Sequence, residues 1–146
     1  MRHHIILRIA AQLLIPPILL FALYVQFHGD FGPGGGFQAG VIFAAGLILY
    51  GLVYGVAEIH RVAPTHVAMK MMAIGLLIYI GVGFAGLGLG GKYLDYNVLL
   101  HDPMAGQHLG IFLVELGVGI TVASTMLVIY QCFSEHQSRD LADDEW

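Results

Sequence analysis

A single carboxylate within a long apolar segment is the first residue of this sequence that could do chemistry. Glu115 lies in residues 109–133, a stretch with no other acidic residue and no Lys or Arg. If this stretch crosses a bilayer, burying the charge costs about 2.5–3.5 kcal/mol, so the side chain should be protonated, paired or hydrated. Ionisable residues in such places usually mark ion or substrate pathways, and we interpret Glu115 as part of an ion pathway. A purely structural hydrogen bond is the alternative.

A glycine-rich loop precedes the second apolar segment and reads His28-Gly-Asp-Phe-Gly-Pro-Gly-Gly-Gly36-Phe37-Gln38. Consecutive glycines permit backbone conformations that are closed to other residues, and a proline stiffens the approach. The first amides of a following helix carry partial positive charge, which can attract an anion or a neighbouring carboxylate. A tight loop that only lets two helices pack closely is the structural alternative.

Further ionisable residues lie near the ends of the apolar segments. Lys70 could relay protons or pair with Glu58, although a lysine in this setting often only extends its amine to the membrane surface. His28 and Asp30 lie in the glycine-rich loop. The candidate ion-pathway residues are therefore Glu115, Lys70, Asp30 and His28.

Other kinds of chemistry find little support in the sequence. The eight histidines and the single cysteine, Cys132, do not have the spacing of a metal site. Gly86-x4-Gly91-Lys92 resembles a phosphate-binding loop, but Tyr93 replaces the required Ser or Thr and no strand precedes it. The formal net charge of -4 argues against nucleic acid binding. We expect no metal, no cofactor and no enzymatic activity.

Four segments are long and apolar enough to cross a bilayer. Of the 146 residues, 58% are apolar and 11% are charged, too few charges to cover a soluble domain. The four segments are residues 5–27, 37–57, 71–91 and 109–133. Lipid offers the backbone no hydrogen bonds and strict alternation is absent, so we predict an all-α integral membrane protein with four transmembrane helices. They form one domain, residues 1–133, which is followed by a short acidic tail, residues 134–146. Within the first segment, Pro16 and Pro17 predict a kink or local unwinding of the helix.

The distribution of basic residues predicts the orientation of the chain. The N-terminus, the second loop and the C-terminus share one side and hold Arg2, Arg8, Arg61, Lys70 and Arg139. The other side holds Lys92 alone. Because short cytoplasmic loops are enriched in Lys and Arg, both termini are predicted to be cytoplasmic. The first and third loops then share the opposite face, and Glu115 lies nearer to that face.

Small residues predict where helices approach each other. Gly36 and Gly40 are four residues apart, a spacing that permits close helix packing. In the fourth segment one helical face carries Gly110, Gly117, Thr121 and Ser124. Glu115 projects from roughly the opposite side of that helix, so both sides should contact protein or water. In a chain of only four helices, this pattern predicts partner subunits.

The glycine-rich loop resembles that of a known family, the B subunit (MnhB) of Mrp/Mnh antiporters. Its members carry a histidine, a short polar step and then Pro-Gly-Gly-Gly-Phe between the first two of four spans. The residues that match this motif are Pro33, Gly34, Gly35, Gly36 and Phe37. The surroundings of Glu115, Val114-Glu-Leu-Gly-Val-Gly, are also similar to the family, whereas the step Gly29-Asp-Phe-Gly32 is longer than in many members.

This resemblance implies a small, non-catalytic membrane subunit of an antiporter that exchanges cytoplasmic Na+, or Li+ or K+, for external protons. The implied partners are the other Mrp/Mnh subunits and the lipid bilayer of a bacterial or archaeal cytoplasmic (inner) membrane, with no cofactor beyond the transported ions. One alternative is an equivalent small subunit of an ion-pumping hydrogenase or oxidoreductase complex, which neighbouring genes would reveal. The other is a purely structural assembly subunit, in which Glu115→Gln would leave transport intact.

Overall fold

The described part of the chain is built from helices, four of which are long and apolar enough to cross a membrane. The computed structural model describes residues 5–29 and 34–143, with side chains described as far as residue 136. The helices are α1 (Ile5–Phe27), α2 (Gly36–Tyr54), the short α3 (Val56–Val62), α4 (Thr65–Gly88) and α5 (Pro103–Asp143), with a 3₁₀ turn at Tyr96–Val98. No strand occurs in the described ranges. The predicted all-α fold with four spans is confirmed, while the sidedness of the termini stays a prediction.

The boundaries of α2 and α4 follow local backbone chemistry more closely than hydropathy. Gly55 has φ of 104°, which favours glycine, and it ends α2 at Tyr54 and starts α3 at Val56. Pro64 is extended and directly precedes α4, which begins at Thr65. The third apolar segment, predicted from residue 71, is therefore the continuation of a helix that already includes Lys70.

Two helices are more continuous than the sequence suggests. Pro16 and Pro17 lie inside α1 without unwinding it, and both side chains are exposed, while the kink stays a prediction. Helix α5 begins at Pro103 rather than at residue 109 and runs without a break to Asp143. Most of the acidic tail therefore extends the fourth helix instead of forming a separate segment.

The long helices pack side by side in the order α1, α2, α5, α4. An apolar cleft of about 360 Å³ runs along α2 and α5, with α1 and α4 as its walls. At the second-loop end of the bundle, Ile59 of α3 is fully buried against Ala68 and Leu127. Burying an isoleucine side chain away from water contributes about 1.5–3 kcal/mol, so α3 is firmly attached to this end.

The predicted small-residue face of α5 packs against α4. A Cβ atom added at Gly75 would lie 2.6 Å from the carbonyl oxygen of Gly117, and one added at Gly117 would lie 2.8 Å from that of Gly75. Thr121 lies on the same seam, where its hydroxyl donates to the Gly117 carbonyl at 2.8 Å. The two backbones therefore touch at a pair of glycines, one from each helix.

We expect Gly75→Ala to destabilise the protein by about 1–3 kcal/mol, because the added methyl group meets backbone that cannot move aside. Gly81→Ala is the matched control on the same helix, since a Cβ atom there meets nothing within 4 Å. It should be neutral or stabilise the helix by about 0.5–1 kcal/mol. Unfolding of the purified chain in mixed micelles by increasing SDS would compare them, and equal free energies of unfolding for the two variants would contradict this packing.

The third loop folds onto the bundle through two tyrosines. Tyr96 packs against Gly110 of α5, and Tyr93 packs against Gly83 of α4. Burial raises the pKa of the Tyr96 phenol above its usual value, and the nearby Tyr79 and Tyr93 raise it further. Gly110, predicted to lie on a helix-packing face, thus makes room for a loop side chain.

Candidate ion-pathway site

The glycine-rich loop packs directly on Glu115. A Cβ atom at Gly29 would collide with the carboxylate oxygen Oε2, and one at Gly35 would lie 2.9 Å from Oε1. A Cβ atom at Gly36 would collide with the main-chain carbonyl oxygen of Glu115. Three glycines of one loop therefore surround a single acidic residue of α5.

This contact continues along α2 as a backbone seam with α5. Gly40 lies one turn beyond Gly36. A Cβ atom added at Gly40 would lie 2.7 Å from the carbonyl oxygen of Gly119. Gly119 in turn lies next to the Gly36 carbonyl oxygen. The predicted close approach at Gly36 and Gly40 is thus a contact between α2 and α5, and it fixes Glu115 level with the first residue of α2.

The position of Glu115 also has an electrostatic consequence. The first amides of a helix lack helical acceptors and carry partial positive charge. Gly35, at the N-cap of α2, has no side chain with which to satisfy them. The carboxylate beside Gly35 therefore lies at the positive end of α2. Glu115 is partly buried, and it lies about three turns from the start of α5.

Gln26 is a polar residue of this site that was not predicted from the sequence. It belongs to the last turn of α1, is 7% exposed, and its Oε1 packs against Gly119 of α5. The sequence does show an amide in the last turn of the first span, but its burial is visible only in the structure. Glu115, Gln26, Gly29, Gly35 and Gly36 form what we call the Glu115 site.

The other candidate ion-pathway residues do not all gather here. His28 precedes Gly29, is exposed, and stacks on Tyr24 with ring centroids 4.2 Å apart. Asp30 follows Gly29 in the sequence and lies outside the described residues. Lys70 lies in the first turns of α4 at the opposite end of the bundle and is exposed. Glu58, its suggested partner, pairs with Arg61 at 3.0 Å instead.

The remaining motif residues position the loop. Gly34 has φ of 150°. A Cβ atom added at Gly34 would lie 2.8 Å from the Val25 side chain. Phe37 is 61% exposed on the outer surface of α2. Pro33 lies outside the described residues. Gly34, Gly35 and Gly36 are thus required by close contacts, whereas Phe37 faces lipid or another protein.

Both sides of α5 contact protein, as the sequence predicts. Partner subunits were expected from this pattern because the chain has only four long helices. The structure covers both sides within the chain, because α2 contacts the side of Glu115 and α4 contacts the side of Gly117. Partners must therefore be inferred on other grounds.

The Glu115 site brings together oxygen atoms of three kinds. It offers a carboxylate, an amide and nearby main-chain carbonyls, all oxygen donors that suit hard cations. Among the described residues, no three His, Cys, Asp or Glu side chains come together as a metal-binding group.

Comparison with known proteins places the sequence of this chain in a family. Residues 6–128 match the family described as "Domain related to MnhB subunit of Na+/H+ antiporter". The chain belongs to the MnhB family. The match includes every residue of the Glu115 site and all four spans up to the last turns of α5.

Relatives of this MnhB-family chain carry consistent names. It is 37% identical over 119 residues to the B subunit of a Na+/H+ antiporter from Alkalihalophilus pseudofirmus, covering 75% of this chain and 82% of that protein. It is 31% identical over 137 residues to "Putative antiporter subunit mnhB2" of Staphylococcus haemolyticus, covering 92% and 96% respectively. A Staphylococcus aureus protein of the same name is also 31% identical over 137 residues. The MnhB-family chain is thus a multi-pass membrane protein similar to antiporter subunits over nearly its whole length.

Proposed function

We propose that this chain is the B subunit of a multisubunit Na+/H+ antiporter in a bacterial cytoplasmic membrane, and that Glu115 lies on the ion pathway. The observation that carries the proposal is the packing of Gly29, Gly35 and Gly36 around Glu115. Three glycines of the loop that resembles the family motif thus serve to hold one ionisable side chain. The names of the relatives supply the transported ions, Na+ and H+.

Glu115 would take up and release a proton or cation at the face formed by the first and third loops. His28 directly precedes Gly29 and is exposed, so it lies on the approach from that surface. Asp30, which follows Gly29 in the sequence, is proposed to belong to the same pathway. Lys70 lies at the other end of the bundle, where it would act only on ions near the second loop. The chain would carry no cofactor and catalyse no covalent chemistry, and its partners would be the other antiporter subunits.

A subunit-omission experiment tests the assignment to an antiporter. Antiporter-deficient cells would express the other subunits from the same organism with or without this chain. Everted membrane vesicles would then be assayed for collapse of a pH gradient on addition of Na+, Li+ or K+. We expect exchange only when the chain is present, and the three salts would define the cation. Equal exchange without the chain would contradict the proposal.

The relatives favour an antiporter over the hydrogenase-type alternative, because their names refer to antiporter subunits. The proposal and a purely structural role predict different results for a substitution at Glu115. Under that alternative, an assembled complex with Glu115→Gln would transport normally.

A further inference from the structure

Four polar side chains join α3, α4 and α5 at the end of the bundle opposite Glu115. These side chains, His60, Thr65, Gln131 and Glu135, are called the His60 cluster. Gln131 is fully buried, and its Nε2 donates to the Ala63 carbonyl at 2.7 Å. Its Oε1 accepts from the Thr65 hydroxyl at 2.9 Å. Thr65 Oγ1 lies 3.2 Å from His60 Nδ1, and His60 Nε2 lies 2.9 Å from Glu135 Oε1.

The directions of these hydrogen bonds are fixed by the Ala63 carbonyl. A carbonyl oxygen only accepts, so the Gln131 nitrogen must face it and the Gln131 oxygen must face Thr65. The single hydroxyl proton of Thr65 is then used on Gln131. The remaining contact of Thr65 requires His60 Nδ1 to be the donor.

This requirement determines the proton count of the His60 ring. A neutral imidazole has one N–H, and here it is on Nδ1. A neutral ring would therefore leave Nε2, a buried atom that makes no hydrogen bond in this structure, unprotonated 2.9 Å from the Glu135 carboxylate, and two electron-rich atoms at that distance repel each other. A second proton on Nε2 converts the same contact into an ion pair.

We propose that the His60 cluster is a proton-binding site that locks the α3–α4 turn to α5 when His60 is protonated. The His60 Nε2 atom is itself buried, so protons from solution would reach the pair from the side of Glu135, whose side chain is 47% exposed. When the proton leaves Nε2, repulsion from Glu135 releases the turn. The site lies at the end that the distribution of basic residues assigns to the cytoplasm, and Glu135 lies beyond the part of the chain that matches the family.

Other titratable groups among the described residues lie on each of the neighbouring helices. On α3, Glu58 is paired with Arg61 at 3.0 Å. On α4, His66 follows Thr65 and is exposed, and Lys70 lies further along the same helix and is also exposed. On α5, His136 follows Glu135 and is exposed. On α2, Tyr54 donates to the Arg8 carbonyl of α1, and the Arg8 side chain lies over its ring.

Hydrogen–deuterium exchange of the full-length chain in lipid nanodiscs tests this proposal. We expect amides of residues 56–68 to exchange about fivefold faster at about pH 8 than at about pH 6, after correction for intrinsic exchange, as suits a partly exposed ion pair. Glu135→Gln supplies an amide N–H that can donate to neutral Nε2. It should therefore keep the turn protected at both pH values, whereas His66→Gln, the matched control, should respond like the wild type.

Nitrogen-15 NMR of the imidazole rings provides a second readout that does not depend on how well a variant folds. Both ring nitrogens of His60 should carry protons at the lower pH, and Nδ1 alone at the higher pH. An equal response in wild type and Glu135→Gln would overturn the proposal. Loss of the response in His66→Gln, or a neutral ring protonated on Nε2, would overturn it as well.

Discussion

Gly36→Ala is expected to destabilise the protein by about 3 kcal/mol, the upper end of what overpacking usually costs. The added methyl group would collide with the carbonyl oxygen of Glu115 and would lie 2.7 Å from its carbonyl carbon. A side chain in that place could rotate away, but the obstacle here is the backbone of α5. To accept the methyl group, α2 and α5 must separate along the seam that also includes Gly40 and Gly119.

The measurement for Gly36→Ala is the amount of chain that survives detergent extraction and migrates with the assembled complex on a native gel. Gly88→Ala is the control, because a Cβ atom at Gly88 meets nothing within 4 Å. We expect the control to assemble like the wild type and Gly36→Ala to assemble poorly. Normal assembly of Gly36→Ala would mean that α2 and α5 are further apart than described.

The number and type of the elements were accessible from the sequence because the bilayer imposes them. A segment that cannot hydrogen-bond to lipid must be helical, so four apolar segments gave four helices. The ends of those helices were less accessible, because hydropathy reports contact with lipid and not helical structure. The polar start of α4 at Thr65 and the helical continuation of α5 to Asp143 lie beyond the apolar segments for this reason.

The Glu115 site was accessible only in part. Alternate loops of a membrane protein lie on the same face, and the depth of a residue can be counted along its helix. These two rules placed Glu115 nearest the face that carries the glycine-rich loop. Which side of α5 faces α2 depends on the packing of helices that are distant in sequence. The contacts of Gly29 and Gly35 with the carboxylate, and the burial of Gln26 beside Gly119, therefore required the structure.

The His60 cluster was missed for a related reason. His60 and Thr65 are close in sequence, but Gln131 and Glu135 come from the far end of α5. Polar residues at the end of a span are usually interpreted as interfacial. Only tertiary contacts show that one of these polar residues, Gln131, is fully buried.

Glu115→Gln is expected to lower cation-dependent proton exchange by at least about tenfold, since removal of a positioned proton-transfer group commonly lowers a rate by about 100-fold or more. The amide keeps the shape of the side chain, so the contacts with Gly29 and Gly35 can remain. It cannot exchange a proton or carry a negative charge at neutral pH. The change therefore separates ion transport from helix packing.

Gly29→Ala tests the same site without removing the carboxylate. The added methyl group would displace the flexible end of the Glu115 side chain but not its backbone. We expect a partial loss of exchange, smaller than for Glu115→Gln, in a complex that still assembles. Asp102→Asn is the control for loss of a carboxylate: Asp102 is exposed near the same face and accepts the Met104 N–H at 3.2 Å, a cap that asparagine also provides.

The most direct test of the Glu115 pathway is the Na+-induced collapse of a pH gradient in everted vesicles that contain the assembled Glu115→Gln complex, with the amount of complex set equal to the wild type by native gel. We predict that exchange is nearly abolished in Glu115→Gln, reduced in Gly29→Ala and unchanged in Asp102→Asn. Wild-type exchange by an assembled Glu115→Gln complex would contradict a pathway through Glu115 and would leave this chain with a structural role.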